Sequence, residues 1–184
     1  MKDYEFSILT NEKDIIEYEK KMYSVYQKKN PDSWVLKHGE IIDNCRLRPK
    51  IEYDKLIIYQ GKYKGELFAG VKANFDHLNF QFERMGFVIP KEDKNKKICE
   101  GINYFILDNI SDQNLIFNLS ERFSIDFLKN IKEKGFQIKF GTCLKKIKII
   151  YLRMGYNFID QKEINNNTQI FIKFDFERTN IRET

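Results

Sequence analysis

The 184-residue chain predicts an α/β fold, a mixed central β-sheet of six to seven strands flanked by about four helices. Three observations carry this. Short runs rich in β-branched and aromatic residues alternate with segments of helical period. The run "ICEGINYFILDNI" (98–110) reads as the strongest strand in the chain, and "IIYLRMGYNFI" (149–159) reads as a helix passing through a glycine into a strand.

The elements come in this order. "EFSIL" (5–9) is a short opening strand, and Thr10 and Asn11 are both suited to cap the helix behind it. Ile15, Ile16, Glu19, Met22, Tyr23 and Tyr26 form a mostly apolar helical face. Asn30 before Pro31 stops that helix, and "SWVLKHGEII" predicts a second, shorter one. "KLIIYQ" (55–60) and "GELFAGVKANF" (65–75), joined by "GKYK", read as a hairpin. From Asp76 to Lys97 the chain is polar and irregular, a length usual for a functional or mobile loop, with a short strand as one reading of "FERMGFVI".

In the strong strand, Ile98, Glu100, Ile102, Tyr104 and Ile106 share one face by the two-residue period. From Asn114, Leu115, Leu119, Phe123, Phe127 and Ile131 mark a long helix that closes at Gly135. "FQIKFG" (136–141) is the next strand. Leu144, Ile147, Ile150, Tyr151 and Met154 then give a helix ending at Gly155, and "NFIDQKEI" and "TQIFIKFDF" close the chain as strands around "NNN".

Composition narrows the function. Residues 1–184 suit a single domain, with 42% apolar residues, 16 Phe and 10 Tyr. No apolar run approaches the roughly 20 residues that span a bilayer, and the polar, acidic start is unlike a signal peptide, so the chain is expected in the cytoplasm with no membrane partner. Cys45, Cys99 and Cys143 are scattered, and neither His38 nor His77 sits at metal spacing from them, so no metal is expected. A net charge of +5, with 27 acidic residues, is too balanced for a nucleic-acid binder and suits an anionic partner such as a phosphorylated cofactor or an acidic carrier protein.

Tyr151, three further residues, Gly155 and the aromatic Tyr156 resemble the final motif of the Gcn5-related N-acetyltransferase (GNAT) superfamily, and the element order resembles it over nearly the whole chain. The resemblance implies acyl transfer from a thioester to an amine. Tyr151 would protonate the departing thiolate, and Glu100, on the fourth strand of that fold, would deprotonate the amine. A partly buried carboxylate has the raised pKa such a base needs. The backbone of Tyr104, Phe105, Ile106 and Leu107 would align the donor's pantetheine arm, and Asn118, Leu119 and Ser120 fall where the family's pyrophosphate loop lies. The donor would be acetyl-CoA, a longer acyl-CoA or acyl carrier protein, and the acceptor a small-molecule or protein amine.

"GELFAGVKANF", the long insertion and "ICEGINYFIL" are similar to the acyl-homoserine-lactone and N-acyl amino acid synthases within that superfamily. Trp34, Lys72 and Asn103 are the substrate-binding candidates on this resemblance. Asn103 and Lys72 stand at or near positions where those synthases carry arginine, and neither side chain reproduces a bidentate fork. "LIFNLS" (115–120) has neither the glycines nor the leading arginine or glutamine of the usual pyrophosphate loop. Lys145, Lys146, Lys148 and Arg153 would dock a carrier protein or cofactor phosphates, or simply form the wet face of a helix. The alternative function is a catalytically silent GNAT-fold module that binds an acyl group or a protein.

Overall fold

A computed structural model describes residues 3–29 and 31–181; Asn30, the expected helix stop, lies outside them. In chain order the elements are β1 (Tyr4–Leu9), α1 (Glu12–Lys29), α2 (Trp34–His38), β2 (Glu40–Ile42), β3 (Arg46–Arg48), β4 (Leu56–Tyr63) and β5 (Glu66–Asn74). They continue as α3 (Gln81–Arg84), β6 (Ile98–Ile106), α4 (Gln113–Glu133), β7 (Ile138–Leu144), α5 (Lys148–Arg153), β8 (Asn157–Ile164) and β9 (Asn167–Asp175). Seven strands form one mixed sheet in the order β1-β4-β5-β6-β7-β9-β8, and β2 and β3 make a small separate ribbon. The parallel pair is β6 with β7, joined by the long α4, as a parallel connection requires. The chain divides into two compact units, Met1–Lys72 with Asn103–Ser124, and Ala73–Ile102 with Ile125–Thr184.

In the first unit, the Asn11 side chain caps α1 by accepting from the Lys13 N–H at 2.8 Å. Glu12 and Asp14 in the first turn and Lys28 and Lys29 in the last match the helix dipole. Tyr18, Glu19 and Met22 form its buried stripe. Lys64 and Gly65, both with positive φ, make the two-residue turn between β4 and β5. The second predicted helix is shorter than its pattern suggested: it ends at Gly39, and Glu40–Ile42 goes into the β2–β3 ribbon.

In the second unit, the insertion is anchored rather than loose. Phe80, Phe82 and Phe87 are buried with Ile98, Phe140 and Phe171, each contributing about 1.5–3 kcal/mol by burial. "FERMGFVI" holds no strand; the four-residue α3 lies at its start. Asp93, buried near the insertion's end, accepts from Lys173 of β9 at 2.8 Å, and its cations hold its carboxyl below the usual range against the cost of burial. The turn between β8 and β9 uses Asn165 and Asn166, again both at positive φ.

The helix-glycine-strand junction is a Schellman motif. The Tyr156 N–H donates to the Tyr151 carbonyl and the Gly155 N–H to the Leu152 carbonyl, both at 3.0 Å. Gly155 has φ of 93°, and a Cβ there would stand 2.7 Å from Cγ2 of Thr179. Gly155→Ala should therefore lower the unfolding free energy by about 1–2 kcal/mol from backbone strain alone, plus the clash, as measured by urea denaturation.

Candidate active site

Glu100 is the chemical centre of the second unit. Its side chain is 1% exposed. Oε2 accepts from the Gln81 N–H at 2.7 Å and Oε1 from the Phe82 N–H at 2.8 Å, so the carboxylate caps α3. The Asn74 amide adds a third donor at 3.3 Å and also holds the Asn79 carbonyl at 3.0 Å. Burial pushes the Glu100 carboxyl up to about 7, although these donors and the charge of Arg84 pull it down. A carboxyl poised near neutrality is suited to take and return a proton.

Tyr151, on α5, meets the Tyr156 ring edge to face at 5.3 Å, the apolar contact that accompanies a Schellman cap. Tyr156 is buried, and its hydroxyl accepts from Nζ of Lys139 at 2.6 Å. Lys139 is 5% exposed on β7, and its amine is lowered to about 8 by burial. The β6–β7 ladder ends on the rung of Gly101 and Gly141, one residue beyond Glu100.

The first unit contains a different buried network. Glu19 and Lys72 are both 0% exposed, and Nζ of Lys72 donates to Glu19 Oε1 at 2.8 Å. Arg46 donates through Nε to Glu19 Oε2 and through Nη2 to the Tyr53 hydroxyl, both at 2.8 Å. The Lys72 amine is lowered to about 8, chiefly by burial, with Arg46 and Arg48 adding repulsion. Lys72, a substrate-binding candidate, is thus tied into a network with Glu19, which the predicted site did not include. The visible sign in the sequence was Glu19 itself, a charge on the apolar face of α1.

Trp34 is half-buried and stacks on His38, with ring centroids 3.6 Å apart. Asn103 is buried with φ of 55°, and its Oδ1 makes no hydrogen bond among the described residues. That left-handed residue breaks the strand alternation, so Tyr104 and Ile106 do not continue the face begun by Ile98. The Tyr104 hydroxyl pairs with Ser124 at 3.2 Å, while Phe105 packs edge-on to Tyr18 at 5.1 Å. The Ile106 carbonyl accepts from Lys29, and Leu107 borders a cleft of about 630 Å³ with Tyr18, Lys21, Gln60 and Lys62.

Asn118, Leu119 and Ser120 lie inside α4, beyond its first turn. Leu119 is buried, and the Ser120 hydroxyl donates to the Ile116 carbonyl at 2.6 Å. Asp112 caps the start of that helix, accepting from the Asn114 and Leu115 N–H groups at 2.9 and 3.1 Å. Among the described residues no group of His, Cys, Asp or Glu is placed to hold a metal, and no helix is long and apolar enough to cross a membrane.

No family model and no characterised relative matches the sequence. Solved structures do match in shape. A CoA-dependent acyl-homoserine lactone synthase, MesI, superposes with a TM-score of 0.69 at 12% identity, over 93% of this chain and 88% of that one. An N-acetyltransferase from Staphylococcus aureus Mu50 gives 0.60 at 12% identity, over 94% and 97%. The fold is GNAT-like. An N-acyl amino acid synthase from uncultured soil microbes, FeeM, gives 0.60 at 10% identity, over 95% and 91%. Glu100 lies on β6, the strand at the middle of the seven-stranded order.

The buried charges make stability testable in two ways. Glu19→Gln takes from Lys72 its carboxylate partner and should cost about 3–5 kcal/mol, more than Lys72→Met, which leaves Glu19 paired with Arg46. Because folding raises the Glu100 pKa from an ordinary 4.5 to about 7, its contribution to stability is full below 4.5 and lost as pH rises through 7. The difference in unfolding free energy between wild type and Glu100→Gln should therefore change across that window and level off on either side.

Proposed function

We propose that the chain, acting as one domain over residues 1–184, is an N-acyltransferase that moves an acyl group from a CoA or acyl-carrier-protein thioester to an amine by direct attack. The observation that carries this reading is Glu100, a buried carboxyl raised to about 7 at the end of the β6–β7 ladder. Glu100 takes the proton of the incoming ammonium, directly or through a water. The free amine attacks the thioester carbon, and the tetrahedral intermediate expels the thiolate, which the Tyr151 hydroxyl protonates. In this reading Tyr104, Phe105, Ile106 and Leu107 hold the pantetheine arm by backbone hydrogen bonds. Trp34 and Asn103 are the acceptor-side candidates in this reading, whereas Lys72 is spent on Glu19, and Asn118, Leu119 and Ser120 lie inside α4 with their N–H groups in the helix.

A carrier-protein donor has its own support. Ile149 and Ile150 on α5 are 55% and 49% exposed, with Lys145, Lys146 and Arg153 exposed around them. An apolar centre ringed by cations suits the acidic helix of a carrier protein. Asp112, already seated at the start of α4, leaves that helix end less open to the phosphates of free CoA.

The second reading, a catalytically silent module, draws on the same carboxylate. Both Glu100 oxygens accept backbone N–H groups, so the residue has a structural task whether or not it handles protons.

Substituting each residue separates the two. Glu100→Gln and Tyr151→Phe should each slow amide formation by about 10²–10⁴-fold without loss of the folded state. Donor binding with no amide product from the wild-type protein would support the silent module instead. Lys145→Glu with Lys146→Glu should weaken transfer from acyl carrier protein, reduce its salt dependence and leave transfer from acyl-CoA within about twofold.

A further inference from the structure

Two carbonyls on the strip that the acyl-transfer reading gives to the pantetheine arm already have donors. The Leu107 N–H donates to the Phe68 carbonyl of β5 at 2.8 Å. In a trans peptide the C=O stands opposite the next N–H, so the Ile106 carbonyl points away from β5. On the extended backbone of β6 the Tyr104 carbonyl, two residues earlier, points the same way. Both lie beyond the Gly101–Gly141 rung where the β6–β7 ladder ends, so they form an open strand edge.

Helix α1 closes that edge. The Tyr26 hydroxyl donates to the Tyr104 carbonyl and Nζ of Lys29 to the Ile106 carbonyl, each at 3.2 Å. Three positions apart on the helix, the two side chains share a face, and they meet carbonyls about 6.6 Å apart along the strand. Burial raises the Tyr26 hydroxyl above its usual range, so it stays a neutral donor. Lys29 also donates to Asp108 Oδ1 at 2.5 Å, and both residues line the cleft of about 630 Å³. Its ammonium therefore keeps a carboxylate partner, with room to move, when it leaves Ile106.

We infer that Tyr26 and Lys29 compete with the acyl donor for the β6 edge and so set how tightly the donor binds. The inference rests on the acyl-transfer reading. An extended chain carrying amide groups adds to an open strand edge through main-chain hydrogen bonds, as a further strand would. The pantetheine arm is such a chain, and its amide N–H groups take the two carbonyls from the phenol and the ammonium. In the free protein the same carbonyls stay satisfied instead of forming a bare edge. The exchange weakens the hold on donor and spent thiol alike, which favours release of the thiol after transfer.

The probe is an unreactive thioether analogue of acyl-pantetheine, which carries no phosphate and so reads the edge alone, with affinity measured by calorimetry. Tyr26→Phe keeps the ring and removes the hydroxyl, and should tighten binding by about threefold to tenfold, the net worth of one hydrogen bond. Lys29→Met should act in the same direction. In transfer from the acyl-pantetheine thioester KM should fall by the same factor with kcat within about twofold. The KM for an amide-free alkyl thioester, which does not use the edge, should stay as in the wild type. If Tyr26→Phe does not fold, Lys29→Met, at a partly exposed position, carries the test. Unchanged or weaker affinity in folded variants overturns the inference alone. No binding by the wild type or either variant, with no amide from any thioester, overturns the acyl-transfer reading and the inference with it.

Discussion

The second unit turns on a carboxylate that has left water. Glu100 gives both oxygens to the first N–H groups of α3, a helix of four residues that is too short to persist by its own hydrogen bonds. Around that turn Phe80, Phe82 and Phe87 are buried against Phe140 and Phe171. The insertion is therefore held at both levels, by backbone donors on a buried acceptor and by rings in a core. Removing the acceptor would strand two amide groups in an apolar setting, a cost of about 1–3 kcal/mol each. The same confinement that stabilises the turn raises the carboxyl pKa to about 7. Structure and chemistry make opposite demands on this group, since a firm cap is ionised and a good base exchanges its proton.

Charge burial recurs at Glu19 with Lys72 and at Lys139, in different forms. Glu19 and Lys72 neutralise one another at 2.8 Å, with Arg46 as a third, mostly buried member. Lys139 has a phenol for a partner and two aromatic faces. The first arrangement fixes geometry, because either charge alone would be costly. The second leaves the amine free to lose its proton within a reachable pH range.

Much of the fold was legible because its turns are written in residues that tolerate positive φ. Gly135, Gly155, and Asn165 with Asn166 fall where strands or helices were expected to stop, whereas the turn at Lys64 and Gly65 comes later than the expected connection at 61–64, because β4 runs on to Tyr63. The features that escaped depend on distant residues. The α3 turn needs Glu100, 19 positions from Gln81, and nothing local marks it. Asn103 takes a left-handed backbone inside an otherwise regular strand, so the two-residue period misplaces Tyr104 and Ile106. Lys139 in "FQIKF" looks like a residue facing water, yet α4 covers that side of β7 with Phe127. Glu100 and Tyr151 are candidates through resemblance alone; the geometry adds the cap on one and the Schellman contact of the other. A charge on the apolar face of α1 did announce Glu19, although not its partner.

The GNAT-like fold is compatible with both catalysis and silent binding, and one measurement separates them most directly. The purified protein is incubated with a long-chain acyl-CoA or the matching acyl carrier protein and a pool of primary amines, and products are read by mass spectrometry together with free thiol. The account predicts an N-acylated amine formed in step with an equal amount of thiol, over many turnovers per protein molecule. Intact thioester held by a folded protein, with no amide from any amine, would contradict it.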